Sequence, residues 1–138
     1  MVQNPPEGSP RIAPYVLYED VAAALDFLTT AFGFTEHLRI AGEDGTVRHA
    51  EVRLGDGEVM MGQPGPDYRS PHRTGHRSQM IHVYVDDVDA HFAHAKAAGA
   101  TIVTEPEDQF YGDRRYSARD PEGHEWHFAT HVKDVDLG

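Results

Sequence analysis

Two stretches of the chain carry one pattern of apolar and polar positions. An apolar, strand-like run from Ile12 to Tyr18 leads to Asp20, then to an Ala-rich helical stretch from Val21 to Phe32, then to Gly33. The order returns as Met80 to Val85, Asp87, Val88 to Ala98 and Gly99, with Asp20 and Asp87 standing 67 residues apart. Each Asp suits a helix N-cap, because its carboxylate accepts a free first-turn amide, and each Gly suits the left-handed residue beyond a helix. The pattern thus predicts two helices, each started and stopped by its own residues and each preceded by a strand.

Three alternating stretches follow each helix. After the first come Phe34 to Ala41, Thr46 to Leu54 and Glu58 to Gly62, separated by Gly42-Glu-Asp-Gly45 and Gly55-Asp-Gly57. After the second come Thr101 to Glu105, Arg114 to Arg119 and Glu125 to Thr130, with Asp120-Pro-Glu-Gly123 as the last turn. Alternation bounded by Gly, Pro and Asp clusters reads as strand and turn. The chain is therefore an α+β sequence of two βαβββ modules, at about 11–62 and 79–131, within a single domain spanning 1–138. Residues 63–78, rich in Gly, Pro, Ser, Arg and His, read as a linker. Arg69, His72, Arg73, His76 and Arg77 form a basic cluster in it, read as a solvated surface loop, with contact to an anionic group at a pocket mouth as the alternative.

Successive strand side chains point to opposite faces, so alternation assigns each residue to the helix side or the other side. Ala50, Val52 and Leu54 oppose His49, Glu51 and Arg53. Ile81, Val83 and Val85 oppose Met80, His82 and Tyr84, and Trp126 and Phe128 oppose Glu125, His127 and Ala129. Met60 points away from Val59 and Met61. The face turned from the helices thus mixes polar tips with aromatic and thioether bodies, the composition of a small-molecule pocket rather than of a core. A merely wetted antiparallel sheet is the alternative, against which Met60, Met80 and Tyr84 weigh. Asp108 to Tyr116 reads as a rim between strands, whose Phe110, Tyr111 and Tyr116 either cover a ligand or anchor the loop.

Charge narrows the partners. Against 12 Lys and Arg stand 23 Asp and Glu, a formal net charge of −11, which repels nucleic acid and anionic lipid. Neither a leader peptide nor a run of about 18 apolar residues is visible, so a cytoplasmic location without membrane is expected. There is no cysteine, which removes disulfides, thiolate metal sites and thiol nucleophiles.

The duplicated helix starts Tyr18-Glu-Asp-Val and Val85-Asp-Asp-Val-Asp-Ala, together with Ala31-Phe-Gly-Phe34, His49-Ala-Glu-Val-Arg-Leu-Gly55 and Arg119-Asp-Pro-Glu-Gly-His-Glu-Trp126, resemble the glyoxalase, bleomycin-resistance and extradiol dioxygenase superfamily, the vicinal oxygen chelate proteins. The resemblance implies eight strands curled around a central cup with the helices outside, commonly in a homodimer. Metal-dependent members place ligands at four positions that fall here on Ala13, Met60, Met80 and His127. Of these only His127 suits a hard or borderline cation, so the family metal is not expected. A displaced site drawing on His82, His49, Glu51 and His127 is the alternative.

The expectation is a small-molecule binding protein, without cofactor, that sequesters an aromatic or cationic compound such as an antibiotic. Its ligand-binding residues would be Tyr15, His49, Glu51, Arg53, Met60, Met80, His82, Tyr84, Tyr111, Tyr116 and His127. The alternative is a glyoxalase-like isomerase or lyase, with His82 or His127 as general base and Glu51 as its orienting or second acid–base group.

Overall fold

A computed structural model describes residues 2–138. The chain divides into two compact units, one ending at Ser70 and the next beginning at Pro71. The first holds β1 (Tyr15–Leu17), α1 (Val21–Ala31), β2 (Thr35–Ala41), β3 (Val47–Leu54) and β4 (Gly57–Gly62). The second holds α2 (Pro71–Thr74), β5 (Met80–Tyr84), α3 (Val88–Ala97), β6 (Thr101–Asp108), β7 (Asp113–Arg119) and β8 (Glu125–His131). Each unit is one βαβββ module with its own four-stranded sheet, in the order β1-β4-β3-β2 and β5-β8-β7-β6. In both, the first strand runs parallel to the fourth and the other pairs are antiparallel.

The helices start as the sequence dictates. Asp20 accepts the Ala23 amide at 3.0 Å and Asp87 accepts that of Ala90 at 3.1 Å, while Gly33 and Gly99 both take positive φ. α1 buries Val21, Ala24, Leu25, Leu28 and Ala31, and β3 and β4 bring Ala50, Val52, Val59 and Met61 to the same core. α3 buries only Val88 and Ala95 completely, and the volume its small residues leave is filled from the sheet. Tyr116, Trp126 and Phe128 are wholly buried, with Phe128 stacked between the other two at ring separations of 5.4 and 6.5 Å.

That packing corrects one expectation. Tyr116 is not part of a rim or binding face. It pairs with Phe128 across β7 and β8, points toward α3, and hydrogen-bonds His91 Nδ1 through its hydroxyl at 2.6 Å. Burial pushes its phenol well above the ordinary tyrosine range. The expected rim also shrinks, because β6 runs on to Asp108 and β7 begins at Asp113. Pro106 does not end β6, since this strand lies at the end of the sheet order, where a missing amide need not interrupt a ladder.

The closing turn is built around Asp120. Its Oδ1 accepts the amides of Glu122 and His124, and its Oδ2 accepts the Trp126 indole at 3.1 Å, so one buried carboxylate fixes both the turn and the largest core side chain. The segment read as a linker is likewise partly ordered. Pro71–Thr74 form a helical turn, the His72 amide donates to Glu122 O at 2.8 Å, and Arg77 donates to Gly123 O. A Cβ on Gly123 would lie 2.6 Å from the His72 nitrogen, and φ is +87° there, so no other residue fits.

Candidate functional site

The face of each sheet turned away from its helix carries the chemistry. In the first module, Tyr15, Met60 and Glu51 stand side by side on β1, β4 and β3. His49 lies two residues from Glu51 on the same face. Gly62, opposite His49, leaves room for the Tyr15 side chain, whose hydroxyl a Cβ there would meet at 2.5 Å and whose ring at 2.6 Å. Tyr15 thereby reaches across to His49, with its hydroxyl 2.9 Å from Nδ1, and His49 Nε2 lies 2.7 Å from Glu51 Oε2. A carboxylate only accepts, so in the neutral ring Nε2 carries the proton and Nδ1 accepts from Tyr15. The three residues form one hydrogen-bonded chain. Arg53, also on this face, is paired with Glu58 at 2.9 Å.

In the second module, His82 stands opposite His127, and Met80 and Tyr84 flank His82 along β5. The His82 and Tyr84 rings meet edge to face at 4.7 Å. Loss of water around the His82 ring lowers its pKa below the ordinary imidazole value. Arg115 and His127 add to this and Asp113 opposes it. His127 Nε2 lies 2.9 Å from Glu125 Oε2, while its Nδ1 is buried with no partner among the described residues. Glu125 is held below the usual carboxylate range, first by the bond from His127, with Arg119 assisting against desolvation.

A second cluster on this sheet centres on buried Asp113. It accepts from the Tyr84 hydroxyl at 2.9 Å and from His131 Nδ1 at 2.8 Å, and His131 Nε2 lies 2.7 Å from Asp134. Burial pushes the Asp113 carboxyl up, but the bonds from His131 and Tyr84 outweigh it and leave the pKa lowered. His131, facing a carboxylate through each nitrogen, is raised above its ordinary value, most strongly by Asp134 and then by Asp113. The bond to Asp113 likewise raises Tyr84.

Of the residues singled out in the sequence, Tyr15, His49, Glu51, Arg53 and Met60 share the first sheet face, and Met80, His82, Tyr84 and His127 share the second. Tyr111 lies in the turn after β6, half-buried, with the Arg115 guanidinium 5.9 Å from its ring centre. Glu58, Asp113, His131 and Asp134 were not singled out. Glu58 was within reach of the same reasoning, being two residues from Met60 on one strand. Asp113 was not, because the alternation of β7 is visible only from Arg114.

A divalent ion at the four family positions does not fit these residues. Ala13 offers no donor, Met60 and Met80 offer thioethers too soft for an oxygen and nitrogen site, and His127 alone remains.

The module architecture and the duplicated face define the class. The sequence model of the Glyoxalase/Bleomycin resistance protein/Dioxygenase superfamily matches residues 11–128, and the chain belongs to that superfamily. It is 39% identical to TioX from Micromonospora sp. ML1, whose crystal structure superposes with a TM-score of 0.74 over 90% of this chain and 100% of that one. The uncharacterized protein Rv0887c of Mycobacterium tuberculosis strain H37Rv is 38% identical over 133 residues, 93% of this chain and 78% of the relative. A glyoxalase/bleomycin resistance protein/dioxygenase family enzyme from Burkholderia phytofirmans PsJN, at 18% identity and a TM-score of 0.65 over 86% of this chain and 95% of that one, shares the fold.

Proposed function

We propose that the chain is a small-molecule binding protein that takes up an aromatic or cationic compound, such as an antibiotic, on these sheet faces, as a cytoplasmic homodimer. The observation that carries the reading is the exposure of large apolar bodies among polar tips. Tyr15 and Met80 are 48% exposed and Tyr84 59%, each a large apolar body left in water on a regular strand. Flat aromatic faces and thioethers hold planar ligands, and Glu51 supplies a carboxylate for positive charge.

The test is a thermal-shift screen with planar cationic compounds. Tyr84→Ala and Glu51→Gln are expected to weaken a hit at least about tenfold while moving the unliganded Tm by no more than about 4 °C. Unfolding by both substitutions would make this face core and remove the reading. A monomer in sedimentation would remove the homodimer.

A second reading, proton transfer beside a carbonyl, is favoured by one observation. Desolvation lowers the pKa of His82, and the ring stands opposite a second imidazole, an arrangement suited to taking up a proton. Turnover of a 2-oxoaldehyde thiol adduct that is lost in His82→Gln would establish it. Binding of such adducts without turnover leaves the first reading in place.

A further inference from the structure

The two modules repeat one ion pair at one place in the sheet, Arg53 with Glu58 across β3 and β4, and Arg119 with Glu125 across β7 and β8. In the second module both carboxylate oxygens are used, Oε1 by Arg119 and Oε2 by His127, two residues along the strand. In the first module the residue two along from Glu58 is Met60, which has no proton to give. Glu58 Oε1 is held by Arg53 Nε, but Oε2, on a side chain with 0% exposure, is buried without a partner among the described residues, and so is Nη2 of Arg53, which the pair leaves unused. An unmatched buried carboxylate oxygen is costly unless something positive meets it.

Two further ligands stand nearby. The pairing of β2 with β3 passes from Glu36 opposite Val52 to Leu38 opposite Glu51, so His37 is the extra residue of a bulge, a device that re-aims a side chain. An imidazole nitrogen of His37, a carboxylate oxygen of Glu51 and one of Glu58 all lie within 4.8 Å of one another. Each carboxylate is steadied through one oxygen, Glu51 by His49 and Glu58 by Arg53, and His49 is steadied in turn by Tyr15. Partners of this kind orient metal ligands from behind.

We infer that His37, Glu51 and Glu58 form a binding site for a borderline divalent cation such as Zn(II), in the first module alone and apart from the family's ligand positions. Two carboxylates and one guanidinium give the cluster one negative formal charge, which a divalent ion reverses. One nitrogen and two oxygens suit zinc-class ions rather than soft ones, and three protein ligands leave a coordination position open. The ion would take the place against Glu58 Oε2 that the imidazole of His127 takes against Glu125.

The experiment is calorimetric titration of chelator-treated full-length protein with ZnCl₂, alongside His37→Ala, Glu58→Gln, His127→Ala and His76→Ala. One equivalent is expected to bind, with His37→Ala weakening it at least about tenfold and His76→Ala, an exposed histidine elsewhere, leaving it unchanged. His37 is exposed, so its replacement leaves the fold intact even if Glu58→Gln does not. Absence of a saturable equivalent, or binding unchanged in His37→Ala, overturns the inference. So does loss in His127→Ala with binding kept in His37→Ala, which would place the ion at the family position. The titration uses the metal alone, so its failure leaves the organic-ligand reading standing.

Discussion

The two modules share their connectivity, helix caps and Arg–Glu pair, yet they reach stability by different means. The first packs Leu25 and Leu28 of its helix, and Phe32 just beyond the helix end, on a sheet of modest side chains. The second has a helix with little to bury, and its sheet supplies Tyr116, Trp126 and Phe128 instead. At the position 67 residues before Trp126 stands Val59. The open faces diverge in the same way, with a carboxylate chain ending on Tyr15 in one and paired imidazoles in the other. One backbone plan thus leaves both its core and its chemistry free to be distributed anew, which is why membership of the superfamily does not fix an activity.

The largest expected effect tests the asymmetry of the cores. Trp126→Ala should destabilise by about 3–5 kcal/mol in urea denaturation, whereas Val59→Ala, deleting two methyl groups, should cost roughly 2 kcal/mol. Equal losses would mean that the two cores carry similar loads. Next come the ion pairs. Glu58→Gln should cost about 2–3 kcal/mol, below a fully buried pair because Arg53 keeps 28% of its side chain in water. Glu125→Gln should cost about 1 kcal/mol, since Arg119 is 37% and Glu125 21% exposed. The reverse order would deny that the first pair is the more buried in solution.

Smaller effects separate two histidines of one sheet. In an NMR titration His82 should change charge below pH 6.5 and His131 above it, the first from desolvation and the second from Asp134 and Asp113. The signs carry over to stability. The contribution of His131 is whole below its unfolded value and is lost as pH rises through its higher folded value, so the penalty of His131→Gln should fade toward alkaline pH. Asp113 behaves oppositely. Its contribution is present above the unfolded value of about 3.8 and is lost as pH falls through the lowered folded one. A penalty for His131→Gln that stays constant across pH 5–9 would detach the histidine from its carboxylates.

What was legible in the sequence was local. The caps of Asp20 and Asp87, the glycine stops and the alternation of β3, β5 and β8 each lie within a few residues, and the internal repeat aligned them. What was not legible depends on pairing between distant strands. Glu105-Pro-Glu-Asp108 looks like loop, but Glu107 and Asp108 lie opposite Arg115 and Arg114 on β7, which extends the strand past its proline. The same extension removes most of the expected rim. Tyr116 falls both in the strand expected at Arg114–Arg119 and at the end of the expected rim, and alternation with Ala118 puts it on the helix side, where it packs. The bulge that singles out His37 leaves no mark in the sequence of β2, so the juxtaposition with Glu51 and Glu58 required the register.

The approach of Gly123 to His72 bears on where the second module begins. Since the turn closing its sheet is clasped from behind by residues 71–77, a fragment cut at Met80 would lose a backbone donor to Glu122 and the guanidinium on Gly123, and would expose the indole-bearing turn. In the language of gene duplication, the unit that was copied and the unit that now holds together are offset. The repeat starts at the strand, whereas the present physical boundary lies about nine residues earlier, at Pro71, in what composition alone describes as spacer.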